Sequence, residues 1–469
     1  MNRPRPLLDK HETDVTPVNN LTPLYSFINI QYNMLFNSDN HSGHNSRRSF
    51  LKKSSIIALG SSLPTSSLLS FTNQSKDQII KVGLIGCGGR GTGAAIQALQ
   101  ADPNCQITAM ADVFQDRMDE SYAALMEVRP KQVKVDKNNK FLGFDAFEKV
   151  INGDVDVVLL TSPPAFRPLH LKAAVNAKKH IFCEKPMAVD VPGLQSVLQS
   201  VKKAKELNLS LVSGFCFRYD LPNRATFTKV LEGAIGQVRS VSTFRYGGEA
   251  TYIDPRPEWN KMTQQMRNWF YYNWLSGDFI VEQAVHSLDM MSWAMGDVMP
   301  ISAMGTGGRQ VRVDPKYGNI YDHFAIEFKY ANGAIGTHFC RQQAGATPRN
   351  SVSMIGSEGA AEVIIGGKHT ITGKMDWNYT GAKNNMYQTQ HDELFAAIRS
   401  NKPINDGEWM TNSTLLAIWA RMAGYTGQNL TFDQVINSKE SLGPELSSYN
   451  WKLNIDGPPI ATPGKTKFS

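Results

Sequence analysis

Residues 76–214 alternate between continuous apolar runs and amphipathic stretches. The apolar runs are of the buried-strand type and occupy residues 79–85, 106–111, 155–161, 180–183 and 209–214. The stretches between them have helical periodicity and occupy residues 91–102, 114–127, 168–177 and 190–207. Apolar strands that alternate with helices indicate an α/β domain built on a parallel, doubly wound sheet.

The pattern changes in the second half of the chain. Long strand-like runs occupy residues 238–246, 301–313, 323–330, 334–342 and 351–355, and a turn at 331–333 favours a hairpin. A helix predicted over 278–295 interrupts them, and two C-terminal helices, 388–400 and 409–426, are expected to pack back on the bulk. We therefore predict a Rossmann-type domain at 76–208, followed at 209–469 by an α+β domain with an open, mostly antiparallel sheet.

Composition narrows the function classes. The chain has 469 residues and a net charge of +7, which is too mild and too dispersed to indicate nucleic-acid binding. Its five cysteines lie in apolar, strand-like runs, without the paired spacing of a zinc site or a disulfide framework. We expect small buried cysteines, no metal and no membrane span.

The N-terminus carries a candidate export signal. The order Ser46-Arg47-Arg48-x-Phe50-Leu51-Lys52 precedes an apolar run at 56–71 that is too short to span a membrane. Residues 46–75 are thus predicted to be a twin-arginine signal, and 1–45 a disordered segment or a start codon placed too early. The protein would be periplasmic, or cytoplasmic if the signal is not functional.

A glycine-rich loop follows the first predicted strand. Gly86, Gly88 and Gly91 stand between that strand and a helix, and Asp112 ends the second strand. This arrangement is typical of dinucleotide binding, with phosphates at the helix N-terminus and a ribose on the carboxylate. A carboxylate there repels a 2′-phosphate, which favours NAD over NADP, although Arg117 lies close enough to soften the preference.

Candidate catalytic groups come from two segments. Glu184-Lys185 follows a strand at the edge where α/β sheets bind ligands, and an ammonium there can stabilise a developing alkoxide. Glu282, His286 and Asp289 share one face of the predicted helix, so Glu282 is expected to orient His286, which would act as a base. The alternatives are a surface lysine, a helix-surface ion network and a core histidine.

Together these motifs resemble the Gfo/Idh/MocA family of oxidoreductases, from residue 76 to the C-terminal helices. The resemblance implies NAD(P) bound between the two domains, sugar or polyol substrates, and homodimers or homotetramers joined through open sheets. The chain has Glu282 where the family usually has Asp, and Ala284 where it has Gly. The predicted cofactor contacts are Gly86, Gly88, Gly89, Arg90, Gly91, Asp112, Ser162, Pro163, Glu184 and Lys185.

Candidate substrate contacts are aromatic, basic and acidic. Trp274 and Tyr272 belong to an aromatic stretch before the predicted helix, where rings can stack on a sugar or pack between domains. Arg245 and Arg341 lie on second-domain strands and can bind hydroxyls, and Asp289 completes the set.

Three functions remain open at this stage. The first is an NAD-dependent oxidoreductase acting on a hydroxyl of a sugar, polyol or sugar derivative. The second is a redox-neutral enzyme with tightly bound NAD(H), such as a glycosidase or sugar–sugar oxidoreductase. Export would favour this alternative, because free NAD is scarce outside the cytoplasm. The third is a non-catalytic ligand sensor on the same fold.

Overall fold

The computed structural model of the chain describes residues 77–445 and 448–469. The predicted signal at 46–75 lies outside this part. Both predicted domains are described, except for the few of their residues that fall outside these ranges. Within it, no helix combines the length and the apolar character needed to cross a membrane.

The first half forms a six-stranded, fully parallel sheet in the order β3-β2-β1-β4-β5-β6. The strands are β1 (Ile80–Ile85), β2 (Cys105–Asp112), β3 (Lys140–Leu142), β4 (Val157–Leu160), β5 (His180–Cys183) and β6 (Leu211–Ser213). The helices are α1 (Gly89–Ala101), α2 (Gln115–Val128), α3 (Ala146–Ile151), α4 (Arg167–Asn176) and α5 (Val191–Glu206). The predicted doubly wound sheet is confirmed, and its order reverses between β1 and β4, where such sheets bind ligands.

The strands of this parallel sheet are apolar on both faces, because the connecting helices cover both sides of it. In β1, Val82 and Leu84 pack into one buried cluster while Ile85 belongs to another on the opposite side. Such strands need helices on both faces. β6 follows the domain boundary predicted at residue 208, so the parallel sheet extends slightly further along the chain than that boundary.

The second half forms a nine-stranded sheet in the order β14-β13-β12-β11-β7-β10-β9-β8-β15. Its strands are β7 (Val238–Gly247), β8 (Ser302–Gly308), β9 (His323–Lys329), β10 (Ile335–Gln342), β11 (Arg349–Gly356), β12 (Gly359–Ile364), β13 (His369–Gly373), β14 (Trp377–Asn378) and β15 (Leu430–Thr431). The helices of this half are α6 (Leu221–Leu231), α7 (Lys261–Arg267), α8 (Asn273–Ser276), α9 (Phe279–Glu282), α10 (Val285–Ala294), α11 (Met386–Arg399), α12 (Gly407–Thr426) and α13 (Phe432–Ile436). Neighbouring strands are antiparallel except β7 and β10, which confirms the predicted mostly antiparallel sheet.

One face of this sheet packs on helices and the other is open. Along β10, His338 and Cys340 are buried against the helices, whereas Thr337 and Phe339 point to the opposite, partly exposed face. Phe339 stacks there on Phe244 of β7, with ring centroids 5.4 Å apart. The period-two alternation of the strands therefore distinguishes a core face from an open face.

Two predicted elements differ in the structure. The helix expected over 278–295 is divided into α9 and α10, because the chain turns at Gln283 and Ala284. The strand expected over 301–313 ends at Gly308, since the backbone N–H groups of residues 310–312 instead donate to the carboxylate of Asp322 at 2.6, 2.7 and 3.0 Å. The Asp322 carboxylate thus accepts the hydrogen bonds that a neighbouring strand would otherwise accept from residues 310–312.

Candidate active site

The glycine loop makes the close turn that the motif predicts. Gly86 has a φ of 97°, a conformation that favours glycine, and its N–H donates to the carbonyl of Ala111 at 2.9 Å. A Cβ on Gly91 would lie 1.9 Å from the carbonyl oxygen of Gly86. Helix α1 can therefore reach this turn only because residue 91 has no side chain.

The N-terminus of α1 is open to a ligand. A Cβ added at Gly88 or Gly89 would meet no atom within 4 Å, and no side chain caps the helix. The free N–H groups and the positive end of the helix dipole suit a pyrophosphate. The residues present thus fit the phosphates of a dinucleotide.

A cavity of about 310 Å³ extends from this helix end. Asp112 lines it, and its carboxylate accepts the N–H of Cys87 at 2.6 Å and that of Phe114 at 2.8 Å. Burial raises the pKa of Asp112, and these hydrogen bonds oppose the rise. The predicted residues Ser162 and Pro163, which follow β4, line the same cavity. The glycine loop and the carboxyl ends of β2 and β4 therefore meet at this cavity, as the sequence predicts.

Much of the cavity wall is aromatic and was not predicted. It is formed on the first-domain side by Phe114, Phe144 and Phe166, and on the second-domain side by Met266, Arg267 and Trp269. Arg267 lies 3.7 Å from the ring centroid of Phe114 and pairs with Asp116 at 2.7 Å. The only sequence signal for this wall was the aromatic stretch that contains Trp269.

Lys185 and Glu282 meet at the junction of the two domains. The Lys185 Nζ donates to the Glu282 Oε1 at 2.8 Å and also to the Glu282 backbone carbonyl. Both side chains are only about one-seventh exposed, at 13% and 15%. Glu282 therefore holds the ammonium of Lys185, and the expectation that it would orient His286 is wrong, because the turn at Gln283 and Ala284 separates the two residues.

His286 is a neutral, partly accessible imidazole. Burial first, and then the charges of Lys185 and Arg245, hold its pKa well below the ordinary value of 6.5. Its Nδ1 is buried with no hydrogen-bond partner, and its ring lies 4.9 Å from that of Phe217. An unprotonated imidazole beside two cations can accept a proton from a substrate.

Arg90 and Glu184 connect the cofactor cavity to Lys185. Arg90 lines the cavity and its Nε lies 2.9 Å from the Glu184 Oε1, one residue before Lys185. Gly214 makes room for this carboxylate, since a Cβ there would lie 2.4 Å from the Glu184 Oε2. The guanidinium of Arg90 also lies 5.3 Å from the ring of Tyr387 on α11, a residue that the sequence analysis missed.

The two candidate arginines lie on opposite faces of the sheet. Arg245 pairs in register with buried Cys340 and faces the helices, where the Glu282 carboxylate counteracts a burial that lowers its pKa. Arg341, one residue further along β10, faces the open side and donates to the Thr347 carbonyl at 3.0 Å. The prediction of Arg341 as a substrate contact is wrong, because strand alternation directs it away from His286.

Two further substrate candidates are structural. Asp289 is fully buried and accepts from Arg218 at 2.9 Å and from Ser413 at 2.7 Å. Trp274 is also fully buried, and its Nε1 donates to Gln265 at 2.7 Å. Neither side chain can reach a ligand, so both predictions are wrong.

Tyr272 and the cysteines pack in the protein interior. Tyr272 is partly buried in the same apolar cluster as Trp274, and burial raises its pKa to about 12. All five cysteines are buried and free, as expected from their apolar surroundings. Among the described residues, no group of three or more His, Cys, Asp or Glu side chains is arranged to hold a metal ion.

Comparison with known families gives two matches that follow the two halves of the chain. The model described as "Oxidoreductase family, NAD-binding Rossmann fold" of Gfo/Idh/MocA proteins matches residues 80–211. The model of the Gfo/Idh/MocA C-terminal domain matches residues 227–362. Together they span more than half of the chain.

Individual relatives are distant but cover much of the chain. The myo-inositol 2-dehydrogenase of Thermotoga maritima is 26% identical over 283 residues, which is 60% of this chain and 74% of that protein. The inositol 2-dehydrogenase of Rhizobium meliloti is 25% identical over 350 residues, 70% of this chain and 92% of that protein.

Solved structures share the fold. The aldose-aldose oxidoreductase of Caulobacter crescentus superposes with a TM-score of 0.60 at 18% identity, over 76% of this chain and 100% of that one. A levoglucosan dehydrogenase in complex with NADH and levoglucosan gives a TM-score of 0.58 at 18% identity, over 76% and 99% of the two chains.

Proposed function

Since the chain belongs to the Gfo/Idh/MocA family of oxidoreductases, with an NAD-binding Rossmann domain, we propose that it oxidises or reduces at a hydroxyl-bearing carbon of a sugar, polyol or sugar derivative. The observation that carries this proposal is the convergence of Lys185, Glu282 and His286 from two domains beside the cofactor cavity. The relatives named for inositol and levoglucosan support the substrate class.

Each residue has a separate part in this chemistry. When bound, NAD would accept the hydride that leaves the carbon. The Lys185 ammonium, fixed by Glu282, stabilises the negative charge that develops on the substrate oxygen. His286, held neutral, takes the proton of the hydroxyl group. With that proton on the imidazole and the hydride of the C–H bond transferred to NAD, the substrate carbon is left as a carbonyl.

The test combines turnover with cofactor binding. Purified protein, NAD and a panel of sugars and polyols should give the near-ultraviolet absorbance of NADH. Lys185→Met and His286→Ala should each lower kcat by about 10²- to 10⁴-fold while NAD still binds, since neither side chain lines the cofactor cavity, although Lys185 is among the predicted cofactor contacts. Unchanged turnover in both variants would exclude the assigned roles.

A redox-neutral enzyme with retained NAD(H) is the second candidate. The observation that favours it is the position of Arg267 and Trp269, second-domain residues that cover part of a cavity in the first domain. Such an enzyme would turn over without added NAD, and mass spectrometry would find nicotinamide dinucleotide in the protein as purified. A strict requirement for added NAD in every turnover would exclude it.

Export and assembly are further proposals. We infer that the motif Ser46–Lys52 directs export of the folded, cofactor-loaded protein, which Arg47→Lys with Arg48→Lys should abolish in a fractionation assay.

We also infer a homodimer or homotetramer joined through the open sheet face, where Phe244 and Phe339 are only partly buried. Sedimentation of the purified protein tests this assembly, and Phe339→Glu should shift it to monomers.

A further inference from the structure

We propose that residues 449–456, here named the C-terminal strap, brace the aromatic wall of the cofactor cavity and slow the release of NAD. The proposal rests on the NAD site described above, to which it adds a segment outside both matched family regions.

The strap alternates between inward and outward side chains. Tyr449 is buried and Trp451, Leu453 and Ile455 are partly buried, whereas the residues between them, including Lys452, are exposed. The inward residues belong to one apolar cluster with Met266 and other residues of α7 and its neighbours. The strap turns at Trp451 and Lys452, where the Leu453 N–H donates to the Asn450 carbonyl at 3.1 Å, and it keeps its apolar side chains against the protein.

Its rings contact the cavity wall directly. Trp451 lies 5.3 Å from Phe114 and 4.8 Å from Phe144, measured between ring centroids. Tyr449 lies 5.2 Å from Phe166. Phe114, Phe144 and Phe166 all line the cavity beside Asp112, so the strap supports from behind the surface that the adenosine half of NAD would contact.

Second-domain side chains hold the strap in place. Asn260 Nδ2 donates to the carbonyl of Trp451 at 2.7 Å, and Gln265 Nε2 donates to that of Ile455 at 2.6 Å. These anchors precede or belong to α7, which also carries Arg267 and Met266 into the cavity wall. The strap therefore joins first-domain aromatic rings to second-domain polar groups beside the cofactor cavity.

This arrangement affects release more than chemistry. The ring contacts of the strap and its hydrogen bonds to Asn260 and Gln265 involve neither Lys185 nor His286. Loss of the strap therefore leaves the reacting groups in place. Loosening Phe114 and Phe144 opens the wall around the adenosine half, and NAD leaves faster. Since Trp451 makes two aromatic pairs with this wall, its removal is expected to raise the dissociation rate about tenfold, which corresponds to about 1.4 kcal/mol.

The test measures NADH dissociation from the full-length protein by displacement with excess NAD, with nicotinamide fluorescence as the signal. Trp451→Ala should raise the dissociation rate about tenfold, and Trp451→Phe should raise it less. Lys452→Ala, an exposed neighbour on the same strap, should match the wild type. Melting temperature reports whether each variant is folded.

A second variant weakens the anchoring of the strap without changing any apolar side chain. Asn260→Asp retains the oxygen that caps α7 by accepting from the Thr263 N–H, but it loses the amide donor to Trp451. It should also release NADH faster. If folded Trp451→Ala and Asn260→Asp both release NADH at the wild-type rate, the strap is not a retention element although the NAD site stands. If the wild type binds no NADH, both proposals fail.

Discussion

The spacing of Glu282 to His286 predicts that it orients the imidazole, yet its partner in the structure is Lys185. The carboxylate is the last residue of α9, and the turn at Gln283 and Ala284 directs it across the domain junction. Gln283 itself accepts a hydrogen bond from Gln342 at 2.7 Å, which fixes the turn to β10. The turn between α9 and α10, which this hydrogen bond ties to a distant strand, places Glu282 against Lys185 rather than His286.

The charge of Lys185 should affect the titration of His286. Because Lys185 lowers the pKa of the imidazole, Lys185→Met should move its titration to higher pH, toward the ordinary value of 6.5. NMR of the ring protons measures this, with His286→Gln to assign the resonance. The control is Lys402→Met, at an exposed position, which should leave the titration unchanged. A shift to lower pH in Lys185→Met would contradict the arrangement.

Asp112 should set the choice between NAD and NADP. Asp112→Asn removes the charge that repels a 2′-phosphate, while Arg117 in the cavity wall remains to meet that phosphate. We expect the Kd of NAD to rise about tenfold, in the range for a lost charged hydrogen bond, and the Kd of NADP to fall. Titration with both cofactors tests this, and Asp119→Asn, on the exposed side of α2, should change neither value.

At the scale of elements, α1 shows how a helix depends on the turn before it. Gly91 is buried against Gly86, while Gly93, two residues later, has only the flexible side chain of Arg90 at 3.7 Å from an added Cβ. Two glycines of one helix therefore face different constraints, although their residue type is the same.

Alanine substitutions should separate these two glycines. Gly91→Ala should displace α1 from the turn, cost about 1–3 kcal/mol in the free energy of unfolding and weaken NAD binding. Gly93→Ala should instead stabilise the protein by about 0.5–1 kcal/mol, because alanine is the better helix residue. Urea unfolding and NAD titration measure both effects, and equal behaviour of the two variants would contradict this packing of the loop.

At the scale of the whole molecule, buried ionisable groups set the dependence of stability on pH. Burial lowers the pKa of His170, His338 and His391 to about 3. It raises the pKa of Asp278 and Asp406 to about 6. The histidines stabilise the fold fully above pH 6.5 and lose this contribution as the pH falls toward 3, whereas the two carboxyls lose theirs as the pH rises from 3.8 to about 6.

The histidine contribution should dominate, since there are three histidines and each has the larger pKa shift, at about 1.4 kcal/mol per unit. The free energy of unfolding should therefore be lower at pH 5 than at pH 7. His391 packs 4.2 Å from Phe182 and neither of its ring nitrogens has a hydrogen-bond partner. His391→Phe should thus stabilise the protein and weaken the dependence on pH, as measured by urea unfolding at both pH values.

His338→Phe provides the matched comparison. It should weaken the pH dependence in the same way, but it leaves the hydroxyl of Thr243 without its 2.8 Å partner, so its stability should increase less. If both variants keep the wild-type pH dependence, protonation of the buried histidines is not the cause.

The sequence by itself determined the two sheets, the glycine loop with Asp112, and the membership of Lys185, Glu282 and His286 in one site. Each of these depends on local rules: a period of two or 3.6 residues, a turn that only glycine makes, and the tendency of parallel strands to present ligand-binding residues at their carboxyl ends. Such rules act over a few residues, and a linear pattern displays them in full.

Only the tertiary structure decided which residues meet. Arg341 and Arg245 follow similar strand patterns, but pairing in the sheet places them on opposite faces. The partners of Asp289, Glu282 and Trp451 lie between 71 and 337 residues away in sequence, and no local period encodes contacts over such separations. The sequence thus defines the parts of the site, and packing between distant segments determines how those parts act together.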